Sequence, residues 1–291
     1  MRLDDESESS NFEIRSGGGG GFGLPIGIPL GRGGLGCGSL IVILIISMVL
    51  GINPLSLLGG GSGQVAPTSE RSVPGSAPGE KTPVMSQSLK ILGSTERVWG
   101  RLFEAQGATY RPTTLVFYSG GTQAGCGFAN ASAGPFYCPA DSRIYLDTAF
   151  FDELANRFGA PGDFAQAYVI AHEVGHHIQA LEGTLGQVQR AQRQLSEREG
   201  NALQVKVELQ ADCYAGVWAA QDRNLLEPGD AEAGLRAAAA VGDDTLQKAS
   251  QGEVVPEAFT HGSAAERQAW LKRGLASGDP AQCDTFGGAL R

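Results

Sequence analysis

Three of the four histidines in the chain fall within six residues, in Ala171-His172-Glu173-Val174-Gly175-His176-His177. The arrangement His172-Glu173-x-x-His176 puts two imidazoles at i and i+4, one turn apart on one face of a helix. Both can then turn a ring nitrogen toward a single ion. Glu173 sits about 100° around the helix from His172, beside the ion rather than on it. A carboxylate in that place can take a proton from a metal-bound water. The chemistry implied is metal-assisted hydrolysis. His177 lies a further ~100° round the helix and reads as a supporting residue.

A hydrolytic zinc site uses three protein ligands and keeps one position open for water. The remaining histidine, His261, is far along the chain, whereas Val207-Glu208-Leu209-Gln210-Ala211-Asp212-Cys213 begins only 31 residues after His176. Glu208 and Asp212 are again spaced i, i+4. If their helix packs on the first, Glu208 completes the coordination of one Zn2+. Asp212 then accepts the second ring N–H of a ligand histidine, fixing its tautomer. Two acids on a solvated helix face would be the plainer reading. Leu209, Ala211, Cys213, Tyr214, Val217 and Trp218 argue instead for burial, where an unpartnered carboxylate pair would be costly.

Elements to carry these residues can be placed from periodicity. Met85 to Ala105 has helical apolar spacing, as do Asp163 to Ala180, a long stretch from about Gln187 to Arg223, Asp230 to Ser250, and Ser263 to Leu275. Thr113 to Tyr118 and Arg143 to Leu146 read as short strands. A small sheet followed by a mostly helical mass predicts an α+β body. That body spans 83–291.

Ahead of it the composition changes. Residues 1–34 are charged and polar, then glycine-rich, and read as disordered. Gly31 to Gly36 matches GxGxxG, but without the strand before it and helix after it that dinucleotide binding needs. From Leu35 to Leu58 there are 24 residues without a charge, enough to cross a bilayer at ~1.5 Å rise per residue. This predicts one transmembrane helix at 35–58 with the lipid bilayer as a partner. Arg32, Arg15 and Arg2 before it predict a single-pass topology, N-terminus cytoplasmic and body extracytoplasmic. Residues 59–82 form a Gly/Ser/Pro linker. With 31 acidic against 22 basic residues and a net charge of -9, the chain lacks the basic surface of a sequence-independent nucleic-acid binder.

HExxH followed by ExxxD resembles the gluzincin metallopeptidases. AYVIAHEVGHHIQ, VELQADCYAGVWA, FTHGSAAERQAWLKRGL and GDPAQCDTF are together similar to the bacterial membrane-anchored family of neutral zinc metallopeptidases, over residues 85–291 and the anchor. The resemblance implies a zincin-like fold, zinc held by His172, His176 and Glu208, and Glu173 as general base. Thr260 to Arg267 is similar to a late His…Arg stretch of related enzymes, with Gly262 in place of proline. His261 or Arg267 would stabilise a developing oxyanion. Ser263 and Glu266 would make a capping box there, which by itself would explain the segment as a helix start. Tyr145 and its neighbours would form an edge strand for an extended peptide.

In an extracytoplasmic body the cysteines can pair. Of three possible connectivities, Cys126–Cys138 and Cys213–Cys283 is preferred; the first would staple an irregular loop and the second would tie the tail to the Glu208 helix. The expected function is zinc-dependent endopeptidase activity on peptide or protein substrates. A non-catalytic, zinc-stabilised module binding envelope proteins or polymers is the alternative; it would not need Glu173.

Overall fold

The computed structural model describes residues 1–15, 80–130, 134–156 and 159–288. It is an α+β, zincin-like body, mostly helical with a small sheet. The strands are β1 (Phe12–Arg15), β2 (Thr114–Tyr118), β3 (Gly121–Ala124), β4 (Gly127–Asn130), β5 (Phe136–Cys138) and β6 (Arg143–Asp147). The main sheet runs β1-β2-β6-β5, and β3 pairs with β4 in a hairpin. In that order the first three strands are parallel and β5 is antiparallel to β6, so β5 closes the sheet nearest the helix Asp163–Leu181, which carries His172 and His176. The expected edge position of Tyr145 is therefore corrected: β6 lies between β2 and β5.

Eight helices are described: α1 (Pro83–Ala105), α2 (Ala149–Asn156), α3 (Asp163–Leu181), α4 (Thr184–Gln192), α5 (Glu197–Gln221), α6 (Asp230–Ala240), α7 (Asp243–Gln251) and α8 (Ala264–Ser277). Pro83 starts α1 behind a Thr82 cap, where proline's missing N–H costs nothing. The long helix expected from Gln187 to Arg223 is two. A capping box, Ser196 with Glu199, begins α5 afresh and satisfies N–H groups that a continuous helix would have bonded within itself. The Ser263–Glu266 box at the start of α8 is present as expected.

The core gathers Trp99, Trp218, Phe164, Tyr168, Phe117 and Leu115 between the sheet and helices α1, α3 and α5. Two glycines let α5 and α8 touch backbone to backbone. A Cβ on Gly216 would fall 2.3 Å from the Leu271 carbonyl oxygen, and one on Gly274 would fall 2.0 Å from that of Cys213. Disulfides join Cys126 to Cys138 and Cys213 to Cys283.

Two expectations about the N-terminal region change. Residues 1–15 are ordered: Phe12 to Arg15 pair with Leu115 to Tyr118, Leu3 is in the core, and the Ser9 hydroxyl donates to Glu96 at 2.7 Å. The charged start that reads as disordered finds its partners on and just before α1: Lys81 and Ser86 for Glu8, and Arg97 for Glu6. The transmembrane helix expected at 35–58 lies outside the described residues. No helix among those described is long and apolar enough to cross a membrane; α1 and α5 are the longest and carry charges such as Lys90, Arg97, Lys206 and Glu208 along their length. Residues 1–15 also share a sheet and a core with residues 80–288. One crossing between them cannot leave the N-terminus in the cytoplasm and the body outside. The expected single-pass localisation, N-terminus cytoplasmic and body extracytoplasmic, is therefore corrected, and among the described residues nothing supports the expected membrane anchor or the bilayer as a partner.

Candidate metal centre

Helix α3 is buried over most of its length and carries His172, Glu173, His176 and His177. His172 and His176 lie one turn apart with ring centroids 4.8 Å from each other. Gly175, between them, is the point at which α5 crosses: a Cβ there would meet the Cα and carbonyl oxygen of Ala211 at 3.0 Å. That close crossing brings Glu208 to both rings. Its Oε2 is 3.2 Å from His172 Nε2 and 3.5 Å from His176 Nε2. The ligand atoms of His172, His176 and Glu208 all lie within 4.8 Å of one another.

The hydrogen bonds around the rings decide which nitrogens face inward. His172 Nδ1 lies 2.8 Å from Asp212 Oδ1, and a carboxylate only accepts, so Nδ1 carries the proton. Asp212 is itself clamped by Arg267, with Nε at 2.8 Å and Nη2 at 3.0 Å, and by the Tyr168 hydroxyl at 2.6 Å. His176 Nδ1 faces Gln179 Oε1 at 2.9 Å. Both rings thus present bare Nε2 lone pairs to a carboxylate oxygen. Three acceptors converge on one point, and a divalent cation answers all three; without one, a proton must. Accordingly the His172 imidazole is raised to about 9: burial opposes the charge, and the Asp212 carboxylate outweighs it together with Glu208. Burial likewise opposes ionisation of Glu208, yet the His176 and His172 rings hold it well below the usual carboxylate range. Two imidazoles with one carboxylate suit zinc.

Glu173 is buried beside this cluster. Burial raises its carboxyl above the ordinary value against the pull of His176 and His172, and the Tyr137 backbone N–H of β5 donates to it. His261 comes from the turn before α8. Its Nδ1 lies 3.2 Å from Asp243 Oδ1, while Asp243 Oδ2 accepts the backbone N–H groups of Thr260, His261 and Gly262 at 2.7, 2.6 and 3.0 Å. Burial opposes protonation of His261, and the Asp243 and Glu208 carboxylates hold the imidazole above its ordinary value. Arg267 lies on Asp212, behind His172. His177 is outside the cluster: its Nε2 donates to the Arg111 carbonyl at 2.6 Å, and its Nδ1 is 3.2 Å from the Tyr137 hydroxyl.

Residues 1–286 match the family described as "Putative neutral zinc metallopeptidase". The chain belongs to this family of zinc metallopeptidases. Together with the His–His–Glu cluster, that makes the protein a zinc-dependent hydrolase. The metallopeptidase is 47% identical over 257 residues to "Uncharacterized protein YpfJ" of Escherichia coli (strain K12), an alignment covering 88% of each chain. It is 41% identical over 263 residues to "Uncharacterized protein Rv2575" of Mycobacterium tuberculosis (strain ATCC 25618 / H37Rv), covering 84% of this chain and 86% of that one. No solved structure matches it.

Sequence reasoning missed Tyr168, Gln179 and Asp243. Asp243 left a faint signal, an acid directly after Gly242 at a helix start. The neutral Gln179 left none.

Proposed function

We propose that the metallopeptidase hydrolyses internal peptide bonds with one zinc ion held by His172, His176 and Glu208. Bound there, zinc would lower the pKa of a coordinated water toward ~7 and polarise the scissile carbonyl. Glu173 takes the water's proton on a carboxylate oxygen and later hands it to the leaving amine. Its burial supports this role, because a carboxyl pushed above its ordinary range both accepts and returns a proton more readily near neutral pH. His261, with Nδ1 tied to Asp243, keeps Nε2 for the oxyanion that develops on the carbonyl oxygen. Among the described residues β5 lies at the edge of the main sheet, where backbone groups other than the Tyr137 N–H held by Glu173 would meet an extended substrate strand.

The observation that carries the reading is a buried Glu173 directly beside three converging metal-ligand atoms. A zinc-stabilised binding module would have no use for that carboxyl. The test is cleavage of a proteome-derived peptide library by full-length protein, wild type against Glu173→Gln, with zinc content measured in both. The variant is expected to keep its zinc and lose activity by about 10²- to 10⁴-fold. Identical cleavage profiles would refute the reading.

A further inference from the structure

Gln179 is fully buried, lies one turn beyond His176 on α3, and has every hydrogen-bonding atom engaged. Oε1 faces His176 Nδ1 at 2.9 Å. Nε2 donates to the Val207 carbonyl at 2.7 Å and to Gln210 Oε1 at 3.0 Å. Gln210 Nε2 in turn donates to the Cys283 carbonyl at 3.0 Å.

The direction of this chain of bonds is not free. Backbone carbonyls only accept, so Val207 requires the NH2 of Gln179, and Cys283 requires the NH2 of Gln210. Flipping either amide would set oxygen against oxygen inside the protein, where an unmade hydrogen bond is costly. Gln179 Oε1 is therefore compelled to face His176, and it can only accept. His176 must hold its proton on Nδ1 and present Nε2 to the site. The same amide spans from the HExxH helix to the residue preceding Glu208, linking the second ligand to the backbone that carries the third. At the far end Cys283 is fastened to α5 by its disulfide to Cys213.

We propose that Gln179 is the positioning residue for His176: held by Val207 and by Gln210, it selects the ring nitrogen offered to zinc and sets the spacing between His176 and Glu208. Asp212 does the corresponding work for His172 with a charge. Gln179 does it with a neutral amide and so adds no negative charge beside the cluster.

This inference rests on the zinc reading of the site, and the experiment separates the two. Zinc affinity of the full-length protein is measured by competition with a chromophoric chelator for wild type, Gln179→Leu and Gln210→Leu. In parallel, the imidazole nitrogens of His176 are followed by ¹⁵N NMR in the zinc-loaded protein. Gln179→Leu is expected to bind zinc about 10- to 100-fold more weakly with an unchanged circular dichroism spectrum. Gln210→Leu leaves the Val207 bond in place and should lose less. In wild type, His176 should bind through Nε2 and keep a slowly exchanging Nδ1–H. Wild-type protein that takes up no zinc would end the zinc reading itself. Zinc uptake by Gln179→Leu equal to wild type would overturn this inference alone. If Gln179→Leu does not fold, the wild-type spectrum decides: coordination through Nδ1, or an Nδ1–H exchanging as fast as in an exposed imidazole, overturns it.

Discussion

Gly175→Ala tests whether the α3–α5 crossing sets the metal geometry. The added Cβ would lie 3.0 Å from the Cα and carbonyl oxygen of Ala211 and 3.2 Å from its Cβ. Relaxed carbon contacts lie at ~3.5–4.0 Å, so α5 must retreat by about 0.5 Å. Overpacking of this kind costs about 1–3 kcal/mol, while alanine recovers about 1 kcal/mol of helix propensity over glycine. The net loss of stability should be about 0–2 kcal/mol. Metal binding should suffer more, because Ala211 lies between Glu208 and Asp212 and both travel with it. A half-ångström displacement exceeds the ~0.2 Å tolerance of ligand distances. We expect zinc affinity to drop about 10- to 100-fold, on the scale of lost supporting contacts. Urea unfolding of the metal-free protein and competitive zinc titration measure the two effects separately. Gly100→Ala is the control: it too lies in a helix, a Cβ there meets nothing within 4 Å, and stability should rise by up to about 1 kcal/mol. Wild-type zinc affinity in Gly175→Ala would refute the claim that this crossing sets the site.

Two further outcomes follow from charge. In the metal-free protein the His172 proton is held up to about 9. A raised value stabilises the folded state below the unfolded pKa of ~6.5, and the contribution disappears as pH climbs through about 9. Zinc needs Nε2 deprotonated, so its uptake at pH 7 should release a proton, and apparent affinity should rise up to about tenfold per pH unit over that window. Calorimetry in buffers of different ionisation heat measures the release; none at pH 7 would contradict the assignment. Arg267→Met strips the guanidinium from buried Asp212, leaving its charge to Tyr168 and His172 alone. Breaking such a pair costs about 3–5 kcal/mol; a loss below about 1 kcal/mol by denaturant unfolding would show that Asp212 does not depend on it.

The reacting groups were legible where residue type and helical spacing carry the chemistry. His172, Glu173 and His176 announce themselves, and Glu208 with Asp212 repeats the same spacing among apolar neighbours. Their supports were harder to find. Asp243 holds His261 through a turn in which one oxygen takes three N–H groups, a geometry no periodicity encodes. Gln179 is a neutral amide whose role depends on which carbonyls surround it. The strands β1 and β5, of four and three residues, are too short for an alternating pattern. Reading residues 1–15 by composition alone failed because their charges meet partners far away in sequence, such as Arg97 for Glu6, Arg143 for Glu13 and Glu227 for the N-terminal amine.

The position of β1 bears on how this protein can be handled. It covers the outer rim of β2, whose sequence Thr-Leu-Val-Phe-Tyr is otherwise a buried apolar ribbon. A chain shortened to begin at residue 80 would bare that ribbon's unpaired N–H and C=O groups, the template on which β-proteins self-associate. Such a fragment should precipitate or stack through β2 even with every metal ligand in place, and its inactivity would then report lost solubility rather than lost chemistry.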